Sequence, residues 1–297
     1  MWHNFGDVDN LLVAKDIITY AFDNGVTHFD LANNYGPPPG SAERNFGRIL
    51  ANELKGHRDE LIISSKAGHL MWPGPYGDGG SRKHIMASID QSLKRTGLDY
   101  FDIFYSHRYD HQTPMEETMQ ALVDIVRQGK ALYIGISKYP AEEAQKAYEM
   151  LAEQRVPCLV YQDRYNMFHR RVEEEHLSLN EENGVGFIAF SPLAQGLLTD
   201  KYLTGIPANS RAFKEHGFLK KEDITFEVIE KIKKLNEIAK ERGQSLAEMA
   251  LAWVLRHKEV TSVIVGASSV AQMKNDLDVL DNLEFTKEEL RSIEKFI

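Results

Sequence analysis

Hydrophobic positions fall into two alternating kinds of segment along the chain. Short apolar runs, rich in β-branched or aromatic residues, cover 26–30, 61–65, 101–105, 131–137, 159–162, 186–190 and 262–266. They are continuous rather than alternating, the pattern of strands covered on both faces in a parallel sheet. Between them, apolar residues three and four apart predict helices over 10–24, 41–54, 82–96, 114–128, 141–154, 172–183, 226–242, 246–257, 270–281 and 287–296. Local chemistry marks several starts. Ser41 precedes Glu43 and Arg44, Thr113 sets Pro114 at a first helical turn, and Ser245 with Glu248 forms a capping box. The run Glu173, Glu174, Glu175 reads as a solvated helix face.

Strand–helix repetition of this kind predicts an α/β fold of parallel strands joined by helical crossovers. An open dinucleotide-binding sheet would carry G-x-G-x-x-G after its first strand, and neither that pattern nor a Walker A loop is present. The (β/α)8 TIM barrel is therefore the expected closure, as a single domain over 1–297, because no linker or low-complexity stretch divides the chain. Seven strands are expected rather than eight, since the helix over 10–24 comes almost at once after Met1; either the first strand is missing or the closure is not a barrel. Two long loops follow strands, 66–81 (KAGHLMWPGPYGDGGS) and 191–223. In a barrel both emerge at the carboxyl ends of the strands, where sites are built.

Composition narrows the function. The chain has 35 Lys and Arg against 44 Asp and Glu, a formal charge of −9, which argues against nucleic acid or an anionic membrane surface as partner. A single cysteine, Cys158, excludes an internal disulfide and a Cys-based metal site, and reads as a small buried apolar residue. No apolar run reaches the ~18 residues of a spanning helix, and the first residues do not form a signal peptide. A soluble, cytoplasmic protein is expected.

Ionisable residues recur at the ends of the apolar runs: Asp30 with Tyr35 after the first, Lys66 after the second, His107 after the third. In a barrel these ends meet at one mouth. A buried lysine needs a partner, and Asp30 can serve. A tyrosine acts as a general acid more readily beside an ammonium, and a histidine can orient a carbonyl. The set suits protonation of a carbonyl oxygen while a cofactor supplies hydride. His107 and His111 lie four apart but follow a strand, with no Glu beside His107, so no metal is expected.

The segments FDLANNYGPPPGSAERNFG, IISSKAGHLMWPGPYG, QSLKRTGLDYFDIFYSHRYD, GKALYIGISKY, FSPLAQGLLTDKYLTGIPANSRA and VIVGASSVAQ, spread over nearly the whole chain, resemble the aldo-keto reductase family. Within it they are most similar to the branch holding bacterial L-glyceraldehyde 3-phosphate reductases and potassium channel β subunits. The resemblance implies a (β/α)8 barrel binding NADPH (NADP+ after turnover) at its mouth. The expected activity is reduction of small aldehydes or ketones, L-glyceraldehyde 3-phosphate or methylglyoxal among them. The alternative is an NADPH-binding regulatory subunit. It also implies an N-terminal hairpin and first barrel strand, which are expected to be missing here, and permits a homo-oligomer.

By position, Tyr35 would be the general acid, Asp30 and Lys66 its tuning pair, and His107 the carbonyl-orienting group. Ser137 and Gln162 would contact the nicotinamide amide and Phe190 stack on its ring. Ser191, Leu193, Gln195 and Gly196 would line the pyrophosphate path, with Lys201 and Arg211 near phosphates. Gly266, Ser268, Gln272 and Asn275 would meet the adenosine phosphate. No Arg lies between Ser268 and Asp276, so a 2′-phosphate would fall to Arg211, serines or backbone. Lys138 and Asp276 stand where relatives commonly have Asn. Trp2, Trp72, Tyr76 and Arg108 are candidates for the substrate wall, although Trp2, Trp72 and Tyr76 could equally pack under the loop and Arg108 pair with a surface carboxylate.

Overall fold

The computed structural model describes residues 10–203, 205 and 219–297. Trp2 and Arg211 lie outside the described residues. By density of contacts the chain divides into two compact units. The first is Met1–Gln162 with Ser178–Gly186 and Gly266–Met273; the second is Asp163–Leu177 with Phe187–Val265 and Lys274–Ile297.

The first unit opens with α1 (Leu11–Asp23) and then repeats strand and helix: β1 (His28–Asp30), α2 (Ser41–Asn52), β2 (Ile62–Ala67), α3 (Arg82–Thr96), β3 (Phe101–Ser106), α4 (Met115–Arg127), β4 (Ala131–Ser137) and α5 (Ala141–Glu153). Most of β5 (Cys158–Arg164) completes it. Every pairing is parallel and between consecutive strands, with His28 opposite Ile62, Lys66 opposite Tyr105, Tyr105 opposite Gly135, and Ser137 opposite Gln162. All of β3 and the last five residues of β2 are buried, as sheets covered by helices require. Gly135 makes this packing possible: a Cβ there would stand 2.4 Å from the Tyr105 ring.

In the second unit β6 (Gly186–Phe190) and β7 (Val260–Val263) also pair in parallel, with Phe187 opposite Val260. Four helices, α8 (Phe226–Glu241), α9 (Leu246–Leu255), α10 (Val270–Asp278) and α11 (Lys287–Glu294), follow β6. Eight of the ten residues of α9 are buried, as suits a helix apolar on all sides. Seven parallel strands among the described residues, with helices between them, give the α/β class and strand count expected for a (β/α)8 chain short of one strand.

Several expectations need correction. The helix expected over 172–183 is two short ones, α6 (Arg171–Glu175) and α7 (Leu177–Glu182), separated at buried His176. The last strand runs Val260–Val263 rather than 262–266, although Ile264 still donates its N–H to the Ala189 carbonyl at 2.8 Å. Left-handed Gly40, not Ser41, caps α2, and Pro114 is the cap of α4 rather than its first residue. The Ser245–Glu248 capping box forms. Glu173 is not a solvated charge. Its carboxylate accepts from Tyr165 Oη (2.6 Å), Arg170 (2.7 Å) and Arg256 (2.9 Å), and although burial works against ionisation, His257 and these donors together hold it well below the usual carboxylate range. Cys158 is buried, and burial pushes its thiol up to about 12.

Candidate active site

The carboxyl ends of β1 to β5 lie side by side, so the register alone gathers Asp30, Lys66, His107, Ser137 and Gln162. Lys66 is completely buried, and its ammonium pairs with Asp30 Oδ2. It also donates to the Leu31 carbonyl (2.7 Å) and hydrogen-bonds the Tyr35 phenol. Three donors thus meet three acceptors, the condition on which a buried ammonium is tolerated. Asp30 Oδ1 accepts from Ser64 Oγ at 2.7 Å and Gln162 Nε2 at 3.3 Å. Ser64 Oγ in turn lies 3.0 Å from His28 Nε2, and since its own proton goes to Asp30, His28 must donate. Burial works to raise the Asp30 carboxyl, but the Lys66 and His28 charges and the hydrogen bonds from Lys66 and Ser64 together outweigh it and hold Asp30 below the carboxylate norm.

Tyr35 sits 5.2 Å, ring centroid to ammonium, from Lys66. Burial raises its phenol above the ordinary value while Lys66 pulls the other way. The ammonium alone would lower it, as the sequence suggested; in the structure burial is the larger effect. His107 meets the Tyr35 ring edge-on, centroids 5.9 Å apart. Burial and then the Lys138 charge keep its imidazole well below the usual range, so it is neutral, and its Nδ1 is buried without a hydrogen-bond partner.

Two further groups complete this end of the first unit. His69 packs edge-on against His107 at 4.5 Å, and Lys138 Nζ lies 2.9 Å from His69 Nε2. An ammonium only donates, so His69 Nε2 accepts and its proton is on Nδ1. Burial, then Lys138 and Arg108, lower this imidazole to about 4. Arg108 donates to the Gly68 carbonyl and to Asp78, both at 2.8 Å. The loop after β2 is held further by Asp110, which accepts from the Gly80 N–H at 2.7 Å, and by His84, which bonds the Tyr76 carbonyl at 2.8 Å. Burial lowers His84 and His28 as well. Trp72 lies against the His84 ring at 5.0 Å, whereas Tyr76 is 61% exposed.

The Ser137 hydroxyl at the end of β4 is buried with no partner, beside Gln162 in register. An orphaned hydroxyl next to a carboxamide side chain at a strand end fits the amide of a nicotinamide ring. Gly266, Ser268 and Gln272 form a local cluster in which the Ser268 N–H and hydroxyl both reach Gln272 Oε1, at 3.0 and 3.1 Å.

The second unit carries the other candidates. Phe190 ends β6, and the chain then turns through positive φ at Ser191 (53°), Ala194 (46°), Gln195 (62°) and Gly196 (99°). Gln195 donates to Ser191 Oγ at 2.8 Å, and Asn166 to the Ser191 carbonyl at 2.9 Å. Leu193 packs on Leu251, Ala252 and Val279. Lys201 is exposed, and Asn275 Nδ2 approaches Ser245 Oγ at 3.4 Å. Asp276, 4% exposed, has an Oδ2 without a partner. Burial raises its carboxyl to about 7, with Lys201 opposing and Glu248 adding.

Sequence reasoning missed His28, Ser64 and His69. The first two lie two residues before Asp30 and Lys66, on the same strand face, and that period of two was the available signal. His69 gave none, being one polar residue in a glycine-rich loop.

Comparison with known proteins adds an independent line. The Aldo/keto reductase family model matches residues 7–297. The L-glyceraldehyde 3-phosphate reductase of Escherichia coli O157:H7 is 54% identical over 301 residues, spanning 100% of this chain and 87% of that protein. A probable voltage-gated potassium channel subunit beta of Arabidopsis thaliana is 38% identical over 286 residues, spanning 94% of this chain and 85% of its own length. No described helix is long and apolar enough to cross a membrane.

Proposed function

Because this chain belongs to the aldo/keto reductase family and is an oxidoreductase, we propose that it reduces small aldehydes with NADPH, using Tyr35 as general acid. The observation that carries the reading is a buried phenol hydrogen-bonded by the Lys66–Asp30 pair, with a neutral imidazole edge-on beside it. L-Glyceraldehyde 3-phosphate, named for the 54% identical relative, is the first substrate to test. A cytoplasmic location goes with this reading.

NADPH, when bound, supplies the hydride to the carbonyl carbon. Ser137 and Gln162 would hold its amide. Lys66 donates to the phenol oxygen, so the phenol's own proton is the one Tyr35 can pass to a carbonyl oxygen. The same ammonium then offsets the charge left on the phenolate. Asp30 balances the Lys66 charge, and Ser64 with His28 fixes Asp30. His107, neutral, can donate one N–H to the carbonyl oxygen and orient it without competing for the proton.

The test is NADPH oxidation followed with a panel of aldehydes, with Tyr35→Phe as control. The variant should lose about 10²–10⁴-fold in kcat, the usual share of a general acid, while its cofactor affinity stays within about twofold. Full activity in Tyr35→Phe would remove Tyr35 from the mechanism.

A further inference from the structure

We propose that Lys138, steadied by His69, selects carbonyl substrates that carry an anionic substituent, a phosphate ester or a carboxylate, near the reacting carbon; this rests on the reductase reading above. Lys138 follows Ser137 at the end of β4 with φ +58°, an uncommon value for a residue other than glycine. Its N–H remains tied to the Gln162 carbonyl at 3.2 Å. From there its side chain reaches the loop after β2, where Nζ meets His69 at 2.9 Å. The strands run β2, β3, β4 in order, so the side chain crosses the end of β3, which is where His107 stands.

The groups are linked by successive contacts. The ring centroids of Tyr35 and His107 are 5.9 Å apart and those of His107 and His69 4.5 Å, and the Lys138 ammonium is bonded to His69 Nε2. A carbonyl oxygen held by Tyr35 and His107 is therefore two such contacts from a positive charge, a span that a short carbon chain ending in an anion can cover. That charge is felt at the site, since after burial Lys138 is the largest influence on His107. His69 is a neutral acceptor and orients the ammonium without cancelling its charge. A lysine donates as a compact, rotatable charge and can meet either oxyanion.

The experiment compares kcat/KM for glyceraldehyde 3-phosphate, succinic semialdehyde and uncharged glyceraldehyde in the wild-type chain, Lys138→Met and Lys138→Arg, each with NADPH. The readout is the ratio of anionic to neutral substrate. Lys138→Met should lower that ratio about tenfold or more, through KM, for at least one anionic substrate, and Lys138→Arg should restore most of it. Which anion responds identifies the substituent. In the wild-type chain, inorganic phosphate or acetate should compete with glyceraldehyde, which tests the idea even if a variant fails to fold. A ratio unchanged in Lys138→Met, or wild-type turnover that neither anion inhibits, overturns the proposal and leaves the reductase reading standing. Wild-type protein that reduces none of the three aldehydes removes both.

Discussion

Asp276 gives the sharpest quantitative test of the structure. Its carboxyl is 4% exposed, one oxygen has no partner, and burial lifts its pKa from 3.8 to about 7. The folded state therefore holds this proton more tightly than the unfolded chain. Below about pH 3 both states are protonated and the side chain is neutral in its effect on stability. As pH rises toward 7 the unfolded state ionises first, and stability drains away until both forms are charged. The displacement corresponds to about 4 kcal/mol above pH 8, and about 1 kcal/mol near pH 4.5. Asp276→Asn keeps the shape and never ionises, so its advantage over the wild-type chain should grow between those limits. At roughly 2 °C per kcal/mol for a chain of this size, the Tm gap should reach about 8 °C at alkaline pH. Melting both proteins by circular dichroism from about pH 4.5 to 8.5, and taking the difference at each pH, cancels every other titrating group. A gap that does not change with pH would refute the buried, raised carboxyl.

Other substitutions probe other links. Gly135→Ala should destabilise by about 1–3 kcal/mol in urea, because its Cβ would drive the Tyr105 ring, 5.4 Å from the Lys66 ammonium, out of place; unchanged stability would show that the ring yields freely. Glu173→Ala should cost about 2 kcal/mol at neutral pH by removing the carboxylate that Tyr165, Arg170 and Arg256 share, and the loss should fade as pH falls below the carboxylate range, where wild-type Glu173 becomes protonated too. Ser137→Ala should weaken NADPH binding about three- to tenfold in a fluorescence titration, and an unaltered Kd would take the orphaned hydroxyl out of the cofactor site.

Strand ends were the legible part of this molecule. Asp30, Lys66, His107, Ser137 and Gln162 each close a continuous apolar run, and parallel strands in register bring such ends together whatever lies between them. The Lys138–His69 contact could not be read in the same way. It depends on a left-handed residue turning a side chain back across one strand, which no periodicity announces. Glu173 shows the opposite limit, since three consecutive glutamates look alike in sequence. Only packing distinguishes the one that meets Tyr165, Arg170 and Arg256 from its solvated neighbours. The break at His176 carries no Gly or Pro, so local signals favoured one helix.

Four imidazoles around the site, His28, His69, His84 and His107, are held below their ordinary pKa, mainly by burial. Each is a base that the folded chain protonates less readily than the unfolded chain, where it titrates near 6.5, so the stability they permit is lost as pH falls below that value. Opening the chain near pH 6 should then draw protons from solution at these groups, offset in part by the one that the freed Asp276 carboxyl gives up. The heat of unfolding will consequently depend on the buffer that surrenders them. Mild acid acts here as a reactant in unfolding, consumed in step with it, and the residues that keep the site neutral for carbonyl chemistry are the ones that make it so.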